Sequence, residues 1–438
     1  MTTPLSSSSA ASANGQGTAP LPDAAARRLP RATASSGGDP SGPARPDGRF
    51  PLAGLVVLSV AVFLSITAET LPMGLLPQMS ADLAVTESQV GLLVTVFAFT
   101  VVVTATPVMA LTSRVARRRL LLAVVVVLGL ANGVTALLPD YGWIVAVRVL
   151  GGMAHGVFWS LVAAYAARLV TPERIGTAVS ITLAGGSMAF VAGVPVATFA
   201  GQLVGWRWVF AVIGVLLLAC AVLIVLVLPP VAATPRAATD TAGDRGAPRD
   251  RTLLPVLVLC AGVAAAIVGH YVLYTYIVPF LTAELGVPDS QISLWLLGYG
   301  VAGLLGLALS GTVLARRPLR GIVVVAAAMA LGLVVLATGL GGTLGTVLAF
   351  GLWAVGFGAL PPMLQTRMLT TSSDAMRDIA SAFYTSAFNI GIGGGALVGS
   401  LILAGGGLAA LPWSYLLLLL IGVGCVVVSA VLAARRRA

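Results

Sequence analysis

The sequence predicts an all-α membrane protein of twelve transmembrane helices in two pseudo-symmetric six-helix bundles. Composition is the first reason: the 438 residues are 58% hydrophobic and 9% charged, where a soluble domain carries about 25% charged residues. The second is run length, because a helix needs about 20 mostly apolar residues to cross the hydrocarbon core, and twelve such runs occur. The third is an internal repeat that sets the last six runs against the first six.

In chain order, the run near 52–78 ends where "PQMSADLAVTESQV" brings turn and acidic residues. The run 89–111 stops at "TSRVARRR", 119–138 at "PDYGW", and 142–169 is parted from 175–202 by "TPER". The run 207–229 completes the first set. The second set begins with 253–283, followed by 291–315, which ends at "RRPLR". Glycine turns separate 321–339 from 343–369, and 378–404 from 411–433. Strand-period alternation is absent, which argues against a β-barrel.

All 25 cationic side chains are arginine. With residues 1–50 on the cytoplasmic side, Arg114, Arg117, Arg118, Arg119, Arg168, Arg174, Arg236 to Arg251, Arg316, Arg317, Arg320, Arg367, Arg377 and the terminal "ARRR" all fall on that side. The opposite loops hold Asp82, Glu87, Asp140, Glu284 and Asp289, with Arg207 as the exception. The positive-inside rule then predicts both termini in the cytoplasm of a multi-pass cell-membrane protein. A net charge of +10 is accounted for by topology, since the arginines form short groups between apolar runs and no basic stripe for nucleic acid.

Residues 1–50, rich in Ser, Ala, Pro, Gly and Arg, hold too little apolar surface to offset chain entropy and read as a disordered cytoplasmic tail. Their start lacks the apolar stretch of a cleavable signal peptide. The polar stretch 230–252 reads as a cytoplasmic linker between an N-terminal bundle, 51–229, and a C-terminal bundle, 253–434, with 435–438 a basic cytoplasmic end. Cys220, Cys260 and Cys425 lie in apolar runs with no CxxC pair and no ligand set, and read as small core residues. Neither a metal nor a cofactor is expected.

The repeat is explicit where "PQMSADLAVTESQV" at 77–90 aligns with "PFLTAELGVPDSQI" at 279–292, an offset of 279 − 77 = 202 residues. Gly156 aligns with Gly358 and Gly193 with Gly395 at the same offset. Two homologous halves follow, and transporters built from such repeats bind substrate near the bilayer midplane between them.

With "TAETLPMGLLPQMSADLAV" in the first span, "RVLGGMAHGVFWSLVAAYAARLV" in the fourth and "GGSMAFVAGVPVATFAGQLVGWRWVF" from the fifth into the sixth, the chain resembles the major facilitator superfamily. It is similar to the twelve-helix drug:proton antiporter branch that includes arabinose and sugar efflux, purine efflux and chloramphenicol-resistance exporters. The resemblance covers about 52–433. It departs from the superfamily pattern G-x-L-a-D-r-x-G-r-[KR] between the second and third spans, where "MALTSRVARR" has Ser113 at the acid position and "GTVLARRPLR" in the second half has Ala315.

Glu69 stands in an apolar run, where a charge at the membrane centre costs roughly 2.5–3.5 kcal/mol on insertion scales. It lies about eight residues, or roughly 12 Å, inside Pro77, and Arg148 lies about 9 Å inside the "PDYGW" loop from the same face. The superfamily fold makes the first and fourth spans neighbours, so Glu69 and Arg148 can share a pocket. Burial opposes the carboxylate and an arginine favours it, a competition that suits a titrating proton site. A fixed Glu69–Arg148 pair serving only stability is the alternative. His155, two turns from Arg148 on one face, can relay protons or bind substrate, or simply pack beside Gly156. Trp159 continues that face toward the expected cavity.

In the second half, the offset puts Tyr271 opposite Glu69, and His270, Tyr271, Tyr274, Trp353, Gln365, Tyr384 and Asn389 are candidates for the other cavity wall, each with ordinary helix packing as its alternative. Asn389 stands out because a buried amide needs a partner. Gly185, Gly193 and Pro195 in the fifth span, with Gly391 and Gly395 in the eleventh, are expected to form helix seams that move during transport.

The sequence reading is therefore proton-coupled efflux of a small neutral or weakly polar molecule such as a drug, sugar or nucleoside, by a monomer in the lipid bilayer. Uptake by proton symport is the alternative, followed by a sensor or channel. An enzyme would need a cluster of nucleophile, base or metal ligands that two histidines and scattered acids do not supply.

Overall fold

The computed structural model describes residues 50–112, 114–230, 250, 252–314, 317–373 and 376–435. The expected tail, most of the linker and the last three residues lie outside the described residues, as do Ser113 and Ala315. Twelve helices among the described residues are long and apolar enough to cross a membrane. They are α1 (Leu52–Gly74), α2 (Glu87–Leu111), α3 (Arg117–Thr135), α4 (Tyr141–Arg168), α5 (Ile175–Val204) and α6 (Trp206–Val227). The second set is α7 (Leu253–Tyr274), α8 (Asp289–Gly311), α9 (Pro318–Thr338), α10 (Gly342–Thr371), α11 (Ile379–Gly406) and α12 (Ala410–Arg435).

The first run of each half is broken where a continuous span was expected. α1 ends at Gly74 and a short helix, Leu76–Leu83, follows after Leu75. Proline explains the break: Pro72 has no N–H for the carbonyl four residues back, and Pro77 is favoured only in the first turn of a new helix. α7 ends at Tyr274, and a short turn at Ile277–Pro279 leads into a π-helical turn at Phe280–Glu284. α2 then starts with a capping box, in which Thr86 Oγ1 accepts from the Gln89 amide at 3.2 Å and Gln89 Oε1 accepts from the Thr86 amide at 2.9 Å.

Packing repeats along with the sequence. A Cβ built on Gly156 of α4 would sit 3.3 Å from the Val101 carbonyl oxygen of α2, and one on Gly358 of α10 would overlap the Gly303 backbone of α8. Both members of each contact are 202 residues apart (358 − 156 and 303 − 101). Helices have no hydrophobic drive to associate in lipid, so small residues that let backbones touch supply the packing.

The predicted seam residues lie inside the halves. Gly185 meets the Ser59 carbonyl and Gly193 the Thr67 side chain, which seats α5 on α1; Gly391 meets Ile267 and Gly395 meets Val268 and Tyr271, which seats α11 on α7. Pro195 is buried and follows a π-helical turn at Ala189–Gly193. That turn lies where α8 approaches α5: a Cβ on Gly300 would come within 2.5 Å of the Phe190 carbonyl oxygen and of Val191 Cα. The matching contact sets Gly393 of α11 on α2, its built Cβ 3.2 Å from that of Ala98. Ala98 and Gly300, like Val191 and Gly393, are one repeat apart (300 − 98 and 393 − 191 = 202), so the boundary between halves follows the repeat. Hydrogen bonds join it from Ser88 Oγ to the Ser400 carbonyl at 3.0 Å, Thr95 Oγ1 to the Gly393 carbonyl at 3.0 Å and Gln202 Nε2 to the Asp289 carbonyl at 2.9 Å. These contacts run from the acidic-loop ends of the helices to about mid-depth.

Two polar clusters tie loops to helix ends. Arg207, the exception to the arginine asymmetry, pairs with Asp82 at 2.9 Å, lies over the Trp206 ring and donates to the Leu138 carbonyl at 2.6 Å. At the opposite end Asp250 accepts from the Thr252 amide and hydroxyl, each at 2.7 Å, and from the Ser373 hydroxyl. Those bonds, Ser373 foremost, hold the Asp250 carboxyl below its ordinary range.

Candidate functional site

The site grows from the kink in α1. Pro72 deprives the Ala68 carbonyl of its helical donor, and a buried carbonyl must find another. Arg148 of α4 supplies it: Nη1 donates to the Ala68 carbonyl at 3.1 Å and Nη2 to the Glu69 carbonyl at 2.9 Å. The guanidinium also lies 4.6 Å from the centroid of the Phe97 ring of α2, a cation–π contact. Arg148 is thus anchored to the backbone beside Glu69, and the carboxylate is left for a different partner.

That partner is His155. Its Nε2 lies 3.3 Å from Glu69 Oε2, and the two side chains are only 3% and 11% exposed. Ser65 Oγ of α1 is 2.9 Å from Nδ1, and the Phe97 ring meets the imidazole edge to face at 5.1 Å. The Trp159 indole, one turn along α4, donates to the same Nε2 at 2.7 Å. The expected Glu69–Arg148 contact is therefore mediated by backbone, and the side-chain pairing is Glu69–His155.

The second half replaces this polar set with aromatic rings. At the offset of 202, Glu69 corresponds to Tyr271, Phe97 to Tyr299, Arg148 to Phe350 and His155 to Phe357. His270 is enclosed at 1% exposure, stacked on Phe357 and Tyr274. Its Nδ1 accepts from the Trp353 indole at 3.2 Å, with the Tyr415 hydroxyl 3.5 Å away.

The remaining cavity candidates divide. Trp353, Tyr271 and Tyr274 are buried in the aromatic set. Tyr384 is buried and donates to the Pro361 carbonyl at 2.8 Å, a bond between α11 and α10. Gln365 is exposed. Asn389 is a correction: it is half-buried, and its amide is satisfied within α11 by the Thr385 carbonyl at 3.0 Å, because a helical amide can reach back four residues and needs no cross-helix partner. No group of three His, Cys, Asp or Glu side chains that could hold a metal occurs among the described residues.

The profile of the Major Facilitator Superfamily matches residues 58–393. The chain belongs to this superfamily. A probable sugar efflux transporter of Mannheimia succiniciproducens is 30% identical over 357 residues, covering 81% of this chain and 88% of that protein. A chloramphenicol efflux pump of Mycobacterium tuberculosis is 35% identical over 356 residues, covering 80% and 85%. Among solved structures, a D-xylose–proton symporter superposes with a TM-score of 0.71 at 17% identity, covering 88% of this chain and 97% of the other, a likeness of fold. This protein is a multi-pass transporter of the superfamily.

Sequence reasoning missed four parts of this transporter's site: Pro72, Ser65, Phe97 and the ring set of Tyr299, Phe357 and Tyr415. Pro72 was legible in "ETLP", since a proline three residues after a membrane-buried acid frees the carbonyl immediately before that acid. Phe97 and Ser65 carry no comparable signal, because an apolar helix offers many such residues and only tertiary packing selects one.

Proposed function

We propose that this transporter exports a small neutral or weakly polar organic molecule in exchange for protons, by alternating access. The observation that carries the reading is the Glu69–His155 pair at 3.3 Å: two ionisable groups in contact, buried, with a permanent cation anchored beside them on backbone carbonyls. An ionisable group inside a membrane helix is a functional candidate by default. The site offers one carboxylate, one guanidinium and many aromatic rings, which suits neutral cargo better than permanent cations. The names of the sugar and chloramphenicol efflux relatives favour export. Uptake by symport uses the same groups with the opposite coupling sign. The arginine asymmetry supports a cell-membrane protein with both termini in the cytoplasm, acting as a monomer without a cofactor.

Proteoliposomes loaded with labelled chloramphenicol or L-arabinose, under an imposed pH gradient, test the reading. Expected is gradient-driven movement opposite to the proton flow and abolished by a protonophore. Movement with the proton flow would establish symport, and gradient-independent flux would sink proton coupling.

A further inference from the structure

We propose that Trp159 is the positioning residue of the proton site: its indole N–H holds His155 as a proton acceptor facing Glu69 and must leave the imidazole whenever a proton passes between the two. This rests on the proton-coupling reading above. An indole nitrogen only donates, so the 2.7 Å contact from Trp159 requires a lone pair on His155 Nε2. The ring proton then sits on Nδ1, 2.9 Å from Ser65 Oγ. A serine hydroxyl accepts or donates equally well. Ser65 therefore leaves the tautomer open, and Trp159 selects it.

Glu69 Oε2 reaches the same Nε2 at 3.3 Å. A lone pair facing a carboxylate anion is repulsive, whereas a Glu69 O–H can donate to it. On transfer, the Glu69 O–H bond breaks, its electron pair stays on the carboxylate oxygen, and the proton binds the Nε2 lone pair. Imidazolium then faces carboxylate, Nε2 becomes a donor, and two N–H groups oppose each other until the indole turns away. The titratable and charged groups around His155 are Glu69 from α1 and Arg148 from α4 itself. Ser65 and Phe97 complete the surround. Arg148 is tied to two backbone carbonyls, and Trp159 is half-buried where His155 is buried, so the movement is assigned to Trp159. Its released N–H suits a carbonyl or hydroxyl oxygen of neutral cargo, and by linkage a molecule that takes the indole favours the protonated imidazole.

The molecule contains two histidines, and Trp353 donates to Nδ1 of the other, His270, so the two rings hold opposite tautomers. Nitrogen-15 NMR of the full-length, histidine-labelled protein in detergent reads both, with His270→Gln for assignment. Expected near neutral pH is a neutral Nδ1–H ring for His155 and an Nε2–H ring for His270. Trp159→Phe keeps a ring without the donor; His155 should leave the Nδ1–H form, and its titration midpoint should rise by about half to one pH unit. An Nε2–H ring at His155 in the native protein, or an unchanged tautomer and midpoint in Trp159→Phe, overturns the proposal. Should Trp159→Phe not fold, Glu69→Gln decides: the Nδ1–H tautomer must persist there, and its loss would assign tautomer control to Glu69. None of these readings involves flux, so gradient-independent transport would remove the coupling reading without touching the ring geometry.

Discussion

Arg148 donates to the Ala68 carbonyl oxygen at 3.1 Å, an acceptor that Pro72 has released from the helix. A charged hydrogen bond of this kind is worth about 1.5–3 kcal/mol, and here it takes the place of the helical donor that residue 72 lacks. Pro72→Ala returns the rival donor. We expect the variant to insert normally and to transport about five- to tenfold more slowly, with little further loss when Arg148→Lys is added, since both changes remove the same contact. Simple multiplication of the two effects in a flux assay would show that Pro72 acts elsewhere.

Glu69→Gln keeps shape and hydrogen-bonding capacity while removing titration. Gradient-driven transport should fall to background, whereas exchange of labelled for unlabelled cargo without a gradient should persist. Retention of active transport would sink the assignment of Glu69 as the proton site.

The twelve spans, the halves and their repeat were legible because membrane helices must be long and apolar and because acids and prolines recur at a fixed offset. Residues 77–90 and 279–292 predicted a match that reappears as the Gly156–Val101 and Gly358–Gly303 contacts. The break at Leu75 was hidden because composition alone does not separate a kinked span from a straight one. At the site, depth along the helices brought Glu69 and Arg148 to one level, but rise per residue says nothing of azimuth. Which groups touch depended on side-chain direction and on a carbonyl freed by Pro72. The glycines of α5 and α11 signalled close approach without naming the partner, and the partner was the first helix of the same half.

Arg148→Ala removes the cation beside Glu69. Loss of a charge next to an ionisable group changes the balance between its two forms, so the pH–rate profile of transport should move. Arg148→Lys keeps charge but cannot span two carbonyls, so it should slow transport with a smaller movement of the profile. An unmoved profile in Arg148→Ala would mean that the two groups do not communicate.

Asp250 offers a pH effect outside the membrane. Its folded carboxyl lies below the ordinary value of 3.8, so its bonds to Thr252 and Ser373 stabilise the fold fully above that pH, and the contribution fades as pH falls through the lower folded value. Thermal melts in detergent should show Asp250→Asn less stable than the native protein from pH 5 to 7, with the gap closing below about pH 4. A gap independent of pH would assign the effect to geometry.

Gly300 tests the boundary between halves. A Cβ there would press to 2.5 Å on the Phe190 carbonyl oxygen, backbone that cannot turn aside, and overpacking of this sort costs about 1–3 kcal/mol. The strain falls only on the conformation in which α8 meets α5, so Gly300→Ala should shift the population toward the state in which they part, by roughly 5- to 150-fold. Ser400, whose carbonyl receives the Ser88 hydroxyl at 3.0 Å, lies near the acidic-loop end of the same boundary and reports that parting. With Cys220, Cys260 and Cys425 replaced, Ser400→Cys should react faster with a membrane-impermeant maleimide added from the acidic-loop side when Gly300→Ala is present. Equal reaction rates with and without Gly300→Ala would mean that the α5–α8 contact does not open as the carrier changes face.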